Sequence, residues 1–270
     1  RHVAAETQAV LIDGAAGYDL ILGEGAVHVR RLDALACVIP LRRISRVLLR
    51  QPRSGALKAL LELTTRGVPV HFQDGRGNIT ATLIMADLPP PAPVRELIAA
   101  VEGCAPRRRY RQWLDVQLRH AASRILRCAP AGSIETFENC LSRYAAQQVG
   151  HEVFESTWNE VSALAYAWID GELTRLRMRR LVDALGWHQC ALTRDLDRII
   201  AIPLLWKLAP WLREHARHRP VQRMEFFEHV RGALEVRLAL HLAALEYHLR
   251  PARSVTAVER PRSYKRRIPR

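Results

Sequence analysis

The sequence predicts an α+β protein in which an antiparallel β-rich N-terminal domain precedes an all-α helical domain, and three observations carry that expectation. Up to about residue 86, short apolar runs are punctuated by glycine-bearing turns, the pattern of a strand meander. Beyond a proline run, apolar residues recur at spacings of three and four with few glycines, the period of amphipathic helices. At 270 residues the chain exceeds a usual single domain, so two units or one sizeable core are expected.

The elements follow in order. Ala9 to Ile12, Leu20 to Leu22 and Val27 to Arg30 read as strands, the last alternating with period two, and Asp13-Gly14 and Gly23-Glu24-Gly25 read as hairpin turns. Cys37 to Ile39 and Ile44 to Leu49 continue the group. A helix over Ser54 to Thr65, a strand over Val68 to Phe72, a turn at Asp74-Gly75-Arg76-Gly77 and a run from Ile79 to Ile84 complete it, so residues 1–87 are assigned to the β-rich domain. Four prolines between Leu88 and Pro93 fix φ and remove amide donors, which makes residues 88–94 a linker. Helices are predicted over Tyr110 to Leu126, Ile134 to Gln148, Trp158 to Leu185, Leu192 to Ile202 and Met224 to Leu249, and residues 95–249 form the helical domain. The tail, 250–270, holds eight basic residues against one acidic, with three prolines, and reads as flexible unless an anion orders it.

Charge narrows the partners. Forty-one Lys and Arg oppose 27 Asp and Glu for a net charge of +14, and 38 of the basic residues are arginine, so a phosphate-rich partner is expected. The 49% apolar and 25% charged content excludes a fibrous or wholly disordered chain. No apolar run approaches the ~20 residues of a membrane span and no secretory signal opens the sequence, so a cytoplasmic protein with no membrane partner is expected. Five cysteines without a C-x-x-C pair suggest neither a disulfide framework nor structural zinc and read as buried or inert thiols. His215, His218, His241 and His248 lack residues that would complete a metal set, and the glycine turns lack the Lys-Ser or Lys-Thr of a phosphate loop.

Several stretches together resemble the Cas-one family, the integrase subunit of CRISPR adaptation. Val38-Ile39-Pro40-Leu41-Arg42-Arg43-Ile44-Ser45-Arg46-Val47, a short helix, then Arg66-Gly67-Val68-Pro69-Val70-His71-Phe72 and Gly75-Arg76-Gly77 are similar in order and spacing to that family's N-terminal half. Further on, Phe137 to Tyr144 resembles its helix with a catalytic Glu, Asn159 to Trp168 its long core helix, Ala184 to His188 the segment ending in a metal-binding His, and Leu192 to Asp197 the segment with its first Asp. The likeness spans roughly residues 8 to 205. It implies a metal-dependent DNA integrase or endonuclease that inserts short DNA segments into a CRISPR array. The 3′-hydroxyl of the incoming DNA attacks a phosphodiester, so one phosphodiester replaces another. It also implies a homodimer bridged by a small Cas-two partner dimer, acting on double-stranded and branched DNA. Two features depart from the family: Asp195 follows His188 by seven residues rather than about ten, and residue 198, where a second carboxylate is usual, is arginine.

Phosphodiester transfer needs an aligned nucleophile and positive charge on the phosphorus centre, which a divalent cation supplies. Carboxylates and an imidazole gathered from separate helices suit Mg²⁺ or Mn²⁺. The resemblance therefore makes Glu138, His188 and Asp195 the catalytic and metal-holding residues, with Glu135 one helical turn before Glu138 and Asp197 beyond Asp195 as rivals. If Thr193 caps the following helix, Asp195 and Asp197 stand about 200° apart around it, so one of the two faces the ion. Read without the resemblance, the glutamates and Asp195 are ordinary acids at helix N-termini, His188 a packed histidine, and Asp197 a surface partner of Arg194 or Arg198. Arg42, Arg43 and Arg46, then Arg107, Arg108, Arg109 and Arg111, then Arg175, Arg179 and Arg180 are the expected DNA-binding residues, gripping backbone phosphates rather than reading bases. Two alternatives remain. One is a non-catalytic DNA-binding scaffold with the same fold and a degenerate metal site, favoured by Arg198; the other is a basic RNA-binding helical protein.

Overall fold

The computed structural model describes residues 8–14, 17–23, 25–31, 34–51, 57–84, 89–103, 106–128, 130, 132–214 and 220–250. The basic tail beyond Arg250, Cys104, His215 to His218 and the expected helix start at Ser54 lie outside them. Seven strands lead: β1 (Gln8–Asp13), β2 (Tyr18–Gly23), β3 (Ala26–Arg31), β4 (Ala34–Pro40), β5 (Ile44–Arg50), β6 (Val70–Gln73) and β7 (Ile79–Leu83). Helix α1 (Leu57–Thr65) sits between β5 and β6. Helices follow as α2 (Ala92–Gly103), α3 (Arg107–Leu126), α4 (Ile134–Val149), α5 (His151–Arg175), α6 (Arg179–Trp187), α7 (Leu192–Glu214) and α8 (Pro220–Leu249).

The strands make two sheets, β2-β3-β4 and β1-β5-β6-β7. The three-stranded sheet is antiparallel throughout, as expected. In the larger sheet β6 and β7 are antiparallel, whereas β5 runs parallel to both β1 and β6. A parallel neighbour needs a long crossover, which α1 supplies between β5 and β6. Where β1 and β5 end together the backbones nearly touch: a side-chain carbon on Gly14 would stand 1.9 Å from the Gln51 carbonyl oxygen, so only glycine fits.

Alternation along the larger sheet buries both of its faces. Val10, Ile12, Val47, Leu49 and Val70 pack with Leu20, Val27 and Val29 of the small sheet and Leu60 and Leu63 of α1. Ala9 and Leu48 point the other way, into the core of the helices. On that second face stand two arginines. Arg46, 2% exposed, donates through Nη2 to Glu228 of α8 at 3.1 Å and lies over the Phe227 ring; Arg50 pairs with Glu160 of α5 at 3.5 Å, and Glu160 also meets Arg223 of α8 at 3.0 Å. Arg46 therefore belongs to the packing between sheet and helices and not to a DNA-facing surface. Its neighbours Arg42 and Arg43, in the tight turn Leu41–Arg43, are exposed.

The helices differ from expectation at three places, each with a physical reason. Helix α2 starts at Ala92, within the stretch read as a linker, because proline is tolerated in a first turn, where its missing amide has no intrahelical partner. The single helix expected over Trp158 to Leu185 is two, α5 and α6. Met178 N–H donates to the Leu173 carbonyl at 3.0 Å or less (2.8 Å) and Arg177 takes a left-handed φ of 57°, a Schellman-type end without glycine. Helix α7 runs past Pro203 and Pro210 to Glu214, its buried residues recurring from Leu192 to Leu212 while Arg194, Arg198, Trp206 and Lys207 stay exposed. Among the described residues no helix is long and apolar enough to cross a membrane. Cys190 is buried, while Cys37, Cys128 and Cys140 are exposed; all four are free.

Candidate functional site

The N-terminal turns of α7 send three polar side chains toward three different neighbours. Asp195 turns to α3, where the Tyr110 hydroxyl donates to its Oδ2 at 2.7 Å. Asp197 lines a cleft against α5 and β7. Arg198 reaches α4 and grips Glu138 with both arms, Nε to Oε1 at 2.8 Å and Nη2 to Oε2 at 2.7 Å. This is the bidentate fork that arginine forms with a carboxylate. Glu138 is held in place by α4, whose start is fixed by Ser133: its hydroxyl accepts from the Thr136 amide at 3.1 Å, and Glu135 lies exposed in the first turn.

Charge around Arg198 is strongly negative. The hydrogen bond that Arg198 donates to Glu138, with the charges of Asp195 and Glu135 nearby, holds the guanidinium more firmly protonated than usual. Burial pushes Asp195 above the usual carboxylate range, opposed by the Tyr110 hydroxyl and by Arg198 and Arg194. His188 closes α6. Its amide donates to the Leu185 carbonyl, Gln189 takes a φ of 59°, and Cys190 N–H returns to Leu185 at 3.0 Å, so a second glycine-free Schellman turn sets the histidine's place.

These residues do not fit a divalent cation. Both oxygens of Glu138 are taken by Arg198, one oxygen of Asp195 is taken by Tyr110, and among the described residues no group of three His, Cys, Asp or Glu side chains is placed to hold a metal ion. Glu138 stands on α4 and Asp195 and Arg198 on α7, and the Arg198 guanidinium is the positive charge facing Glu138. Its role as the partner of Glu138, and that of Tyr110 as the partner of Asp195, went unread. The run Arg107-Arg108-Arg109-Tyr110-Arg111 carried the only signal for Tyr110, an aromatic residue interrupting a basic cluster.

The cleft on the other side of α7 has a volume of about 430 Å³ and is lined by Asn159, Tyr166, Asp170, Arg179 and Asp197 among others. Asp170, 3% exposed, accepts from Arg179 at 3.1 Å through Oδ1, and burial raises it above the usual carboxylate range. Burial alone pushes Asp197 up to about 7 from an ordinary 3.8. A carboxyl raised in the folded state stabilises the fold while protonated, and that contribution is lost as pH rises from about 4 through about 7. Asp197→Asn is therefore expected to match the wild type in urea unfolding at pH 4 and to exceed it by about 1–3 kcal/mol at pH 8. An equal difference at both pH values would contradict the burial of a charge at this position.

The expected DNA-binding arginines divide. Arg107, Arg108 and Arg111 are exposed and Arg109 half-buried at the start of α3, which has no acidic residue in its first turn and no side-chain cap. Cations at a helix N-terminus oppose its dipole, so they do not stabilise the helix. Arg107 and Arg111 lie within electrostatic reach of Cys190, beside the α6–α7 turn. Arg180 is exposed on α6. Arg175, largely exposed, pairs with Glu172 at 2.6 Å, and Arg179 is shared between Asp170 and Asp183.

No family model matches the sequence, and no curated protein matches it. Solved structures do. A CAS1 protein from Thermotoga maritima aligns with TM-score 0.58 and 11% identity over 90% of this chain and 97% of that one. TtCas1 aligns with TM-score 0.59 and 10% identity over 90% and 98%, and a TtCas1–DNA complex with TM-score 0.51 and 11% identity over 93% and 94%. At these identities the likeness is one of fold: strands in two sheets followed by a helical region, arranged as in those structures.

Proposed function

We propose that this protein is a DNA-binding scaffold of CRISPR-type integration complexes, in which the site that would carry a catalytic ion is closed by the chain's own arginine. The fork of Arg198 on Glu138 is the observation that carries the reading. A guanidinium brings charge but no open coordination position, so it neither polarises a bound hydroxyl as a Lewis acid nor templates an in-line displacement. The arginines at the start of α3 and the exposed Arg42, Arg43 and Arg180 grip backbone phosphates of double-stranded or branched DNA. On the same reading the protein works as a homodimer with a small Cas-two partner dimer, in the cytoplasm. The likeness in fold to CAS1 structures, one of them complexed with DNA, supports the DNA partner.

A second reading keeps catalysis: a metal-dependent integrase in which Glu138, His188 and Asp195 hold Mg²⁺ or Mn²⁺. In its favour, α4 and α7 bring Glu138 and Asp195 within electrostatic reach of residue 198. A strand-transfer assay with Mn²⁺, run on the wild type and Glu138→Ala, separates the two. The scaffold retains DNA in a gel shift and yields no joined product from either protein; joined product that disappears in Glu138→Ala establishes the integrase.

A further inference from the structure

A small pocket of about 50 Å³ lies where α3, α7 and α8 meet, with room for about three waters or one tetrahedral oxyanion. Its wall carries His120 and Arg124 from α3 and Arg237 and His241 from α8, and no acidic residue lines it. Among the described residues neither Arg124 nor Arg237 has a carboxylate partner, whereas Arg119 of the same α3 pairs with Asp115 at 2.9 Å. The two guanidiniums act on each other: Arg237 is held below the usual arginine range, by burial first and then by the charge of Arg124. The pocket also offers one acceptor. His241 Nδ1 stands 2.8 Å from Gln117 Oε1, with both side chains buried. An amide oxygen only accepts, so Nδ1 carries the imidazole's proton and Nε2 keeps a lone pair. Burial and the charges of Arg124, Arg237 and His120 hold His241 down to about 4, so the ring is neutral near neutral pH.

We infer that this pocket binds a singly protonated phosphate, inorganic or a monoester, with its charged oxygens on Arg124 and Arg237 and its P–OH donating to His241 Nε2. Two guanidinium forks match phosphate oxygens, and an anion between them removes the repulsion of like charges. The neutral imidazole asks for a donor, which such a phosphate has and a carboxylate or sulfate at neutral pH lacks. A backbone phosphodiester also has no P–OH, and the strand that continues on both sides of it does not fit a pocket of this size. Phosphate binding here is therefore independent of the DNA-binding reading.

Calorimetric titration and thermal unfolding near neutral pH, at matched ionic strength, use inorganic phosphate, thymidine 5′-monophosphate, sulfate and a short duplex with 5′-hydroxyl ends. Phosphate at about a hundred times its dissociation constant is expected to raise the melting temperature by about 5–10 °C, and sulfate to bind at least about ten-fold more weakly. Arg124→Gln is expected to weaken phosphate binding at least about ten-fold, with a ligand-free melting temperature no lower than that of the wild type, because a like-charge contact is gone. Arg119→Gln leaves phosphate affinity unchanged. Binding of the monophosphate as tight as that of phosphate identifies an ester as the ligand, and its failure to bind identifies the free ion. A wild type indifferent to phosphate, or unchanged affinity in Arg124→Gln, overturns the site. Sulfate binding as tight as phosphate overturns the bond to His241, and a duplex that displaces phosphate gives the pocket to DNA instead.

Discussion

Arg198→Asp is expected to make the melting temperature depend on divalent cations, whereas that of the wild type is expected to ignore them. In the wild type the guanidinium satisfies Glu138 and faces Asp195 and Glu135 beyond it. Replacing it with a carboxylate leaves several acids around an unfilled centre, and without a cation the variant loses about 1–3 kcal/mol, moderated because Arg198 is partly in water. In a chain of this size that is a fall of several degrees, at about 2–4 °C per kcal/mol. Mn²⁺ at about a hundred times its dissociation constant restores about 2.7 kcal/mol. Thermal unfolding of both proteins with and without Mn²⁺ makes the comparison. A wild type stabilised by Mn²⁺, or a variant indifferent to it, would remove the basis for regarding Arg198 as a substitute for an ion.

The largest loss of DNA affinity is expected from Arg107→Ala, Arg108→Ala and Arg111→Ala combined. Each phosphate contact contributes about one unit to the slope of log affinity against log salt, so the triple variant has a slope shallower by about three. At low salt its affinity falls roughly a hundred- to a thousand-fold, for duplexes of any sequence alike, because phosphates carry no sequence information. The helix itself is expected to gain slightly, since three cations leave the positive end of its dipole. Anisotropy titrations over a series of salt concentrations read both numbers, and a variant with the wild-type slope would place the DNA elsewhere.

Much of the fold could be read from residue order because short apolar runs mark its strands. Val47 and Leu49 face one core while Arg46 and Leu48 face the other, and two buried faces explain why apolar and basic residues interleave there. That interleaving also misled: an arginine on a strand looks solvent-facing until a second layer with Glu228 covers it. Helix ends were harder to read. Arg177 and Gln189 occupy left-handed positions where glycine is the usual marker, so neither end of α6 announced itself. Proline had the opposite effect, since Pro93 lies in the first turn of a helix and Pro203 inside one. At the site, the departure at residue 198 was visible in the sequence, whereas its partner, sixty positions earlier, is defined only by how α4 and α7 cross.

The parallel pairing of β1 with β5 sets the sequence of events on the ribosome. The first strand emerges early, yet every amide and carbonyl that it offers to this sheet must wait until the small sheet has been made and β5 has followed it out of the exit tunnel. During that interval Val10 and Ile12 have no layer to enter, which gives the strand-rich half a slow, non-local assembly step.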